Sequence, residues 1–99
     1  MVPFLAQGAV MAIEDGYILG RCLEKYPDAS LALDHYEKAR SERTLKAVTG
    51  SAANIGRFHH PALTDPARAR DYVAREWAGQ NVAERYEWLF RYDVTTAAV

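Results

Sequence analysis

Apolar and polar residues alternate with a helical rhythm almost from end to end. After the irregular stretch Pro3-Phe4-Leu5-Ala6-Gln7, apolar residues fall at Val10, Met11, Ile13, Tyr17, Ile18, Leu19, Cys22 and Leu23. This predicts a helix from about Gly8 to Lys25. It is apolar on more than one face, the pattern of an element buried between layers. Its polar residues Arg21, Glu24 and Lys25 come late, where the cations suit the helix dipole. Tyr26-Pro27 closes it, because the residue before a proline avoids the helical region. A second helix opens at Asp28 to Ser30, either of which can cap it, and runs over about 29–58. Leu31, Leu33, Tyr36, Ala39, Leu45, Val48, Ala52 and Ile55 give it a broken apolar stripe. Glu37, Lys38, Arg40, Glu42, Arg43 and Lys46 form a mixed-charge face. At 1.5 Å per residue it is on the order of 40 Å long. Gly50 and Gly56 are the places for a bend or an end, and Pro61 stops it.

Thr64-Asp65-Pro66 sets a capping aspartate before a proline at the first helical position, and predicts a third helix over about 65–78 that breaks at Gly79. A fourth, over about 81–92, carries Val82, Tyr86, Leu89 and Phe90 on one side. No alternating run reaches strand length. The expected fold class is all-α, four helices with short connections, and Thr95 to Val99 read as a fraying tail.

Composition narrows the setting. The 99 residues suffice for one small domain, and 49% hydrophobic with 25% charged residues is a folded, globular balance. A net charge of −1 gives no reason to expect nucleic acid or an anionic membrane as partner. The single cysteine, Cys22, excludes an internal disulfide and fits a reducing, cytoplasmic location. The N-terminus lacks a basic leader, and Glu14-Asp15 interrupts its apolar run, so neither a signal peptide nor a membrane span is expected. The first helix is too apolar to be covered by the other three. The expectation is a further cover: a second copy, another chain, or an N-terminal portion absent from this sequence.

Several residues invite chemistry. A glycine feeding directly into a helix start turns backbone N–H groups towards whatever lies ahead, which favours an anion or partial negative charge; a plain helix start without ligand is the competing reading. Glu14 and Asp15 point about 100° apart on a helix, so they do not converge on one proton. A structural role is expected, such as an ion pair with an arginine of the second helix or of a missing segment. Arg40 and Arg43 share a face one turn apart and suit that pairing, or an anion clamp. His59-His60 reads as a helix-end cap or exposed turn rather than a metal pair. Cys22 reads as a small core residue, and Trp77, Tyr86, Trp88, Phe90 and Tyr92 as a packing cluster. No residue of this chain is assigned a catalytic or metal-binding role.

The run Met1-Val2-Pro3-Phe4-Leu5-Ala6-Gln7-Gly8-Ala9-Val10-Met11-Ala12-Ile13-Glu14-Asp15-Gly16 resembles the C-terminal flavin motif of the FAD-dependent aromatic hydroxylases, the salicylate and para-hydroxybenzoate hydroxylase type. Tyr36-Glu37-x-x-Arg40-x-x-Arg43 resembles the signature of that family's long following helix, and Arg85-Tyr86-Glu87-Trp88-Leu89-Phe90-x-Tyr92-Asp93 its closing segment. The resemblance covers essentially the whole chain. It implies that residues 1–99 are a C-terminal helical fragment of an FAD-binding monooxygenase domain. The parent would reduce bound FAD with NADH or NADPH and hydroxylate an aromatic acid with O2. By resemblance, Pro3 lies beside the flavin with its carbonyl available, Gln7 and Gly8 form the close approach, and the N–H groups of Ala9 and Val10 face the pyrimidine edge. The family's Gly-x-Gly-x-x-Gly fingerprint, its Gly-Asp segment and its substrate-binding sheet are missing. The sequence therefore looks like the last quarter of such an enzyme: a truncated product, a mis-assigned start, or one piece of a split protein. FAD would bind this chain alone weakly or not at all. The alternative is a non-catalytic interaction module that self-associates or docks on a separately encoded FAD-binding partner.

Overall fold

The computed structural model describes residues 3–99, without the side chains of Phe4 and Gln80. Met1 and Val2, which open the flavin-like run, lie outside the described residues. Four helices follow one another: α1 (Gly8–Lys25), α2 (Ala29–Phe58), α3 (Pro66–Glu76) and α4 (Gly79–Phe90), with 3-10 turns at Pro3–Leu5 and Pro61–Thr64. No strand occurs among the described residues, so the fold is all-α, as the residue spacing predicts. No described helix is long and apolar enough to cross a membrane. The chain divides into two compact units. One holds the chain up to Asn54 together with Asp93–Val99; the other holds Ile55–Tyr92.

The first unit is built on an antiparallel hairpin. Tyr26 ends α1 in an extended conformation ahead of Pro27, and Asp28 turns the chain by accepting the Ser30 N–H at 2.9 Å. Contacts along the hairpin pair Leu5 with Gly50, Glu14 with Arg40 and Arg43, and Cys22 with Ala32. The buried residues of α2 are Ala32, Arg40, Arg43, Ala47, Ser51 and Asn54. The large apolar residues expected to form its stripe are mostly outside that seam: Leu31, Leu33, Leu45, Val48 and Ile55 are exposed. The buried positions of α2 are small (Ala32, Ala47, Ser51) or polar (Arg40, Arg43, Asn54), so apolar spacing alone does not mark them. Gly50 does not end α2, which continues to Phe58; a Cβ there would meet Leu5 Cδ2 at 3.4 Å, so this part of α2 lies against the Pro3–Leu5 turn.

Ile18, Cys22 and Ala32 form the fully buried core, against which Tyr26, Tyr36, Ala39, Val94, Ala97 and Val99 pack. The last residues are therefore not a fraying tail. Arg21 donates to the Val94 and Ala97 carbonyls at 2.7 Å each, and Lys25 Nζ and Tyr26 Oη both reach Val99 O at 3.1 Å. Polar side chains of α1 supply the binding that the short apolar residues of the segment did not advertise.

In the second unit, Asp65 caps α3 by accepting the Ala67 N–H at 3.2 Å, with Pro66 at the first helical position. Such a cap contributes about 1 kcal/mol. Helix α3 ends at Glu76, two residues before the expected limit, and α4 starts at Gly79 rather than 81. Asn81 explains the difference. Instead of opening α4, its amide donates to the Arg75 carbonyl at 2.7 Å and caps the end of α3. His60 Nδ1 accepts the Ala62 N–H at 3.1 Å and its ring stacks on Tyr72, so it caps the 3-10 turn. Trp77 stacks on Phe58, and Arg85 lies 5.2 Å from the centre of the Trp77 ring. Phe90, expected in this aromatic cluster, is 77% exposed.

Candidate functional site

The candidate site is the turn from Pro3 to Gln7 and the first turn of α1. The turn closes when Ala6 N–H donates to the Pro3 carbonyl at 3.0 Å. That carbonyl is thus engaged internally, and keeps one acceptor position. Ala6 follows in the left-handed region, φ 54°, a conformation that costs a residue with a Cβ roughly 1–2 kcal/mol. Gln7 is the N-cap residue, and its side chain makes no capping hydrogen bond. The first bond bridging into the helix is Met11 N–H to the Gln7 carbonyl, 2.8 Å. The amides of Gly8, Ala9 and Val10 precede it, receive no side-chain cap from Gln7, and belong to exposed residues. Pro3 is exposed and Gln7 half-buried. A helix N-terminus without a side-chain cap carries the positive end of the dipole, worth about 0.3–1 kcal/mol to a negative charge placed there. The residue chemistry suits an acceptor atom of partial negative charge.

Behind this turn, α1 is fixed by a buried ionic cluster. Glu14 accepts from Arg40 Nη2 at 3.0 Å and from Arg43 Nε and Nη2 at 2.8 and 2.9 Å. Arg40 Nε bonds Asp15 at 2.6 Å, and its Nη2 lies 3.6 Å from Met11 Sδ. Burial would raise the Glu14 pKa, but the hydrogen bonds from Arg43 and then Arg40, with their charges, hold it below the ordinary value. Sequence spacing placed Glu14 and Asp15 opposite Arg40 and Arg43, and the structure brings all four together. The arginines are committed to carboxylates, so the anion-clamp alternative is overturned. Cys22 is fully buried, as expected of a core residue.

On the opposite side of α1, Val10, Ile13, Tyr17 and Leu23 are exposed, Ile13 by 73%. The helix expected to lie between two layers is thus covered on one side only by this chain.

The site thus consists of backbone donors at a helix start and a half-covered helix, with no catalytic side-chain group identified among the described residues. Several known proteins are similar to this chain. A 3-hydroxybenzoate 6-hydroxylase of Klebsiella oxytoca is 36% identical over 94 residues, 91% of this chain and 22% of the relative. The FAD-dependent monooxygenase OpS4 of Beauveria bassiana is 31% identical over 111 residues, 99% of this chain and 25% of the relative. A salicylate hydroxylase of Pseudomonas putida is 31% identical over 100 residues, 97% of this chain and 22% of the relative. No family profile and no solved structure matches the chain. The chain is related to the FAD-dependent aromatic hydroxylases and corresponds to a C-terminal portion of them. It spans 22–28% of the length of relatives matched over nine-tenths of this chain.

Proposed function

We propose that this chain supplies the flavin-edge turn and C-terminal helices of an FAD-dependent monooxygenase that hydroxylates an aromatic acid with NAD(P)H and O2. One observation carries the reading: the amides of Gly8, Ala9 and Val10 stand at the start of an 18-residue helix with no side-chain cap. Those residues would hold the pyrimidine edge of FAD, with Pro3 and Gln7 beside it. FAD, when bound, would supply the redox chemistry of such an enzyme. The protein's part is to place dipoles where negative charge develops, ready-oriented and without reorganisation. Gly8 to Val10 contribute backbone donors, and the Glu14 cluster keeps the helix that carries them in place. The remaining cofactor contacts and the aromatic substrate belong to the rest of such an enzyme. A cytoplasmic location accompanies this reading.

The exposed apolar face of α1 favours a docking role alongside it, with the FAD-binding portion of such an enzyme as the cover, whether encoded together or apart. The purified chain alone is expected to give no stoichiometric yellow complex with FAD and no NADH oxidation. Mixed with the N-terminal three quarters of the Klebsiella relative, it is expected to restore flavin retention and substrate-dependent NADH oxidation. A yellow, turning-over chain on its own overturns the fragment reading. A mixture that stays colourless overturns the docking reading. Light scattering on the isolated chain tests self-association, and a clean monomer counts against a second copy as the cover.

A further inference from the structure

The hairpin of α1 and α2 is closed in two separate places. Towards its open end, the Glu14, Asp15, Arg40 and Arg43 cluster joins the helices directly. Near the connecting turn, the helices meet through the Ile18, Cys22 and Ala32 core, and Val94, Ala97 and Val99 pack against it as an added cover. This covering segment is short and belongs to none of the helices. Its hydrogen bonds to α1 all run from side chains to its main-chain oxygens. Arg21 bonds two of those oxygens and bridges the segment's single turn. Lys25 and Tyr26 share a third, and the Tyr26 ring is itself steadied by His35, stacked at 3.9 Å. The segment also keeps its own shape. Ala97 N–H bonds the Asp93 carbonyl at 2.9 Å, and Thr95 donates its N–H and hydroxyl to Asp93 Oδ1 at 2.8 and 2.6 Å.

We propose that residues 93–99 form a strap, latched by Arg21, that opens as a unit while the α1–α2 hairpin stays folded, and that its opening uncovers Cys22 and the apolar seam around it. Nothing in the ionic cluster depends on the strap, so the hairpin keeps its own closure when the strap lifts. Regions held by few apolar contacts and a handful of hydrogen bonds open well below the global unfolding threshold.

Cys22 is the only cysteine in the chain, which makes its thiol a clean reporter. In the intact chain it is expected to react with a maleimide at least about tenfold more slowly than in urea. Arg21→Met keeps the aliphatic stem and removes the donors. It is expected to raise the rate about tenfold while the far-ultraviolet helical signal is retained. Arg21→Lys is expected to fall between the two. Native-state hydrogen exchange on the unaltered chain serves where the variant unfolds. The Thr96 and Ala97 amides are expected to exchange at least about tenfold faster than those of Ile18 and Cys22. An unchanged thiol rate in folded Arg21→Met overturns the latch. Equal protection of strap and hairpin amides overturns independent opening.

Discussion

Glu14→Ala is expected to cost about 3–5 kcal/mol and to leave the hairpin largely unfolded at 25 °C. Arg40 and Arg43 are only 3% and 9% exposed, and three of their hydrogen bonds end on the Glu14 carboxylate. Removing that one side chain takes from two buried cations the carboxylate they share. Asp15, with its side chain a third exposed, bonds only Arg40 among the ion pairs here and is screened by water. Asp15→Ala is expected to cost about 1 kcal/mol or less. Acid should act through the same carboxylate. The Glu14 pKa is lowered in the folded chain, so its contribution is fully present above the unfolded value of about 4.3. That contribution fades as pH falls through the lower, folded value. Urea unfolding followed by circular dichroism, at pH 7 and again near pH 3, measures both effects. A Glu14→Ala loss under about 1 kcal/mol contradicts the argument.

Ile18→Ala carries the second-largest expected loss, about 2–5 kcal/mol. Ile18 is fully buried with Cys22 and Ala32, where residues of α1, α2 and the 93–99 segment pack together. Ile13, five residues earlier on the same helix and 73% exposed, is the internal control. Ile13→Ala is expected to shift the unfolding midpoint by no more than about 0.5 kcal/mol. If the two substitutions cost the same in a chain shown to be monomeric, the assignment of opposite faces to α1 is wrong.

That contrast marks where the sequence was readable. The ends of α1 and α2 follow from local chemistry: the Tyr26-Pro27 stop, the Asp28 turn and the Pro61 stop are encoded within a few residues. Asp65-Pro66 likewise announces α3. The ionic cluster was legible because adjacent carboxylates diverge on a helix while arginines three apart converge. What local reading missed depends on partners distant in sequence. Apolar spacing points to Leu31 and Leu45 as core, but both are exposed, and Ala32, Ala47 and Ser51 are buried beside the arginines that the ionic cluster draws inward. The docking of Val94 to Val99 needs Arg21, 73 residues away, and no windowed pattern contains both. The start of α4 at Gly79 rather than 81 was not legible either, because the Asn81 amide serves the end of α3 at the Arg75 carbonyl. At the candidate site, the sequence identified Gly8 as the helix start, while the left-handed Ala6 and the internally bonded Pro3 carbonyl appear only in the structure.

The first unit is assembled from two stretches of chain with Ile55–Tyr92 between them. The intervening segment is contiguous and makes contacts of its own. The hairpin core cannot be sealed until the strap has been made. Joining Arg21 to Val94 through unfolded chain would cost roughly 4 kcal/mol in closure entropy. Any structure formed in the middle segment first shortens that search. The order of synthesis thus favours sealing Cys22 last, and a nascent chain stalled before Asp93 would expose its apolar seam to chaperones and neighbouring chains.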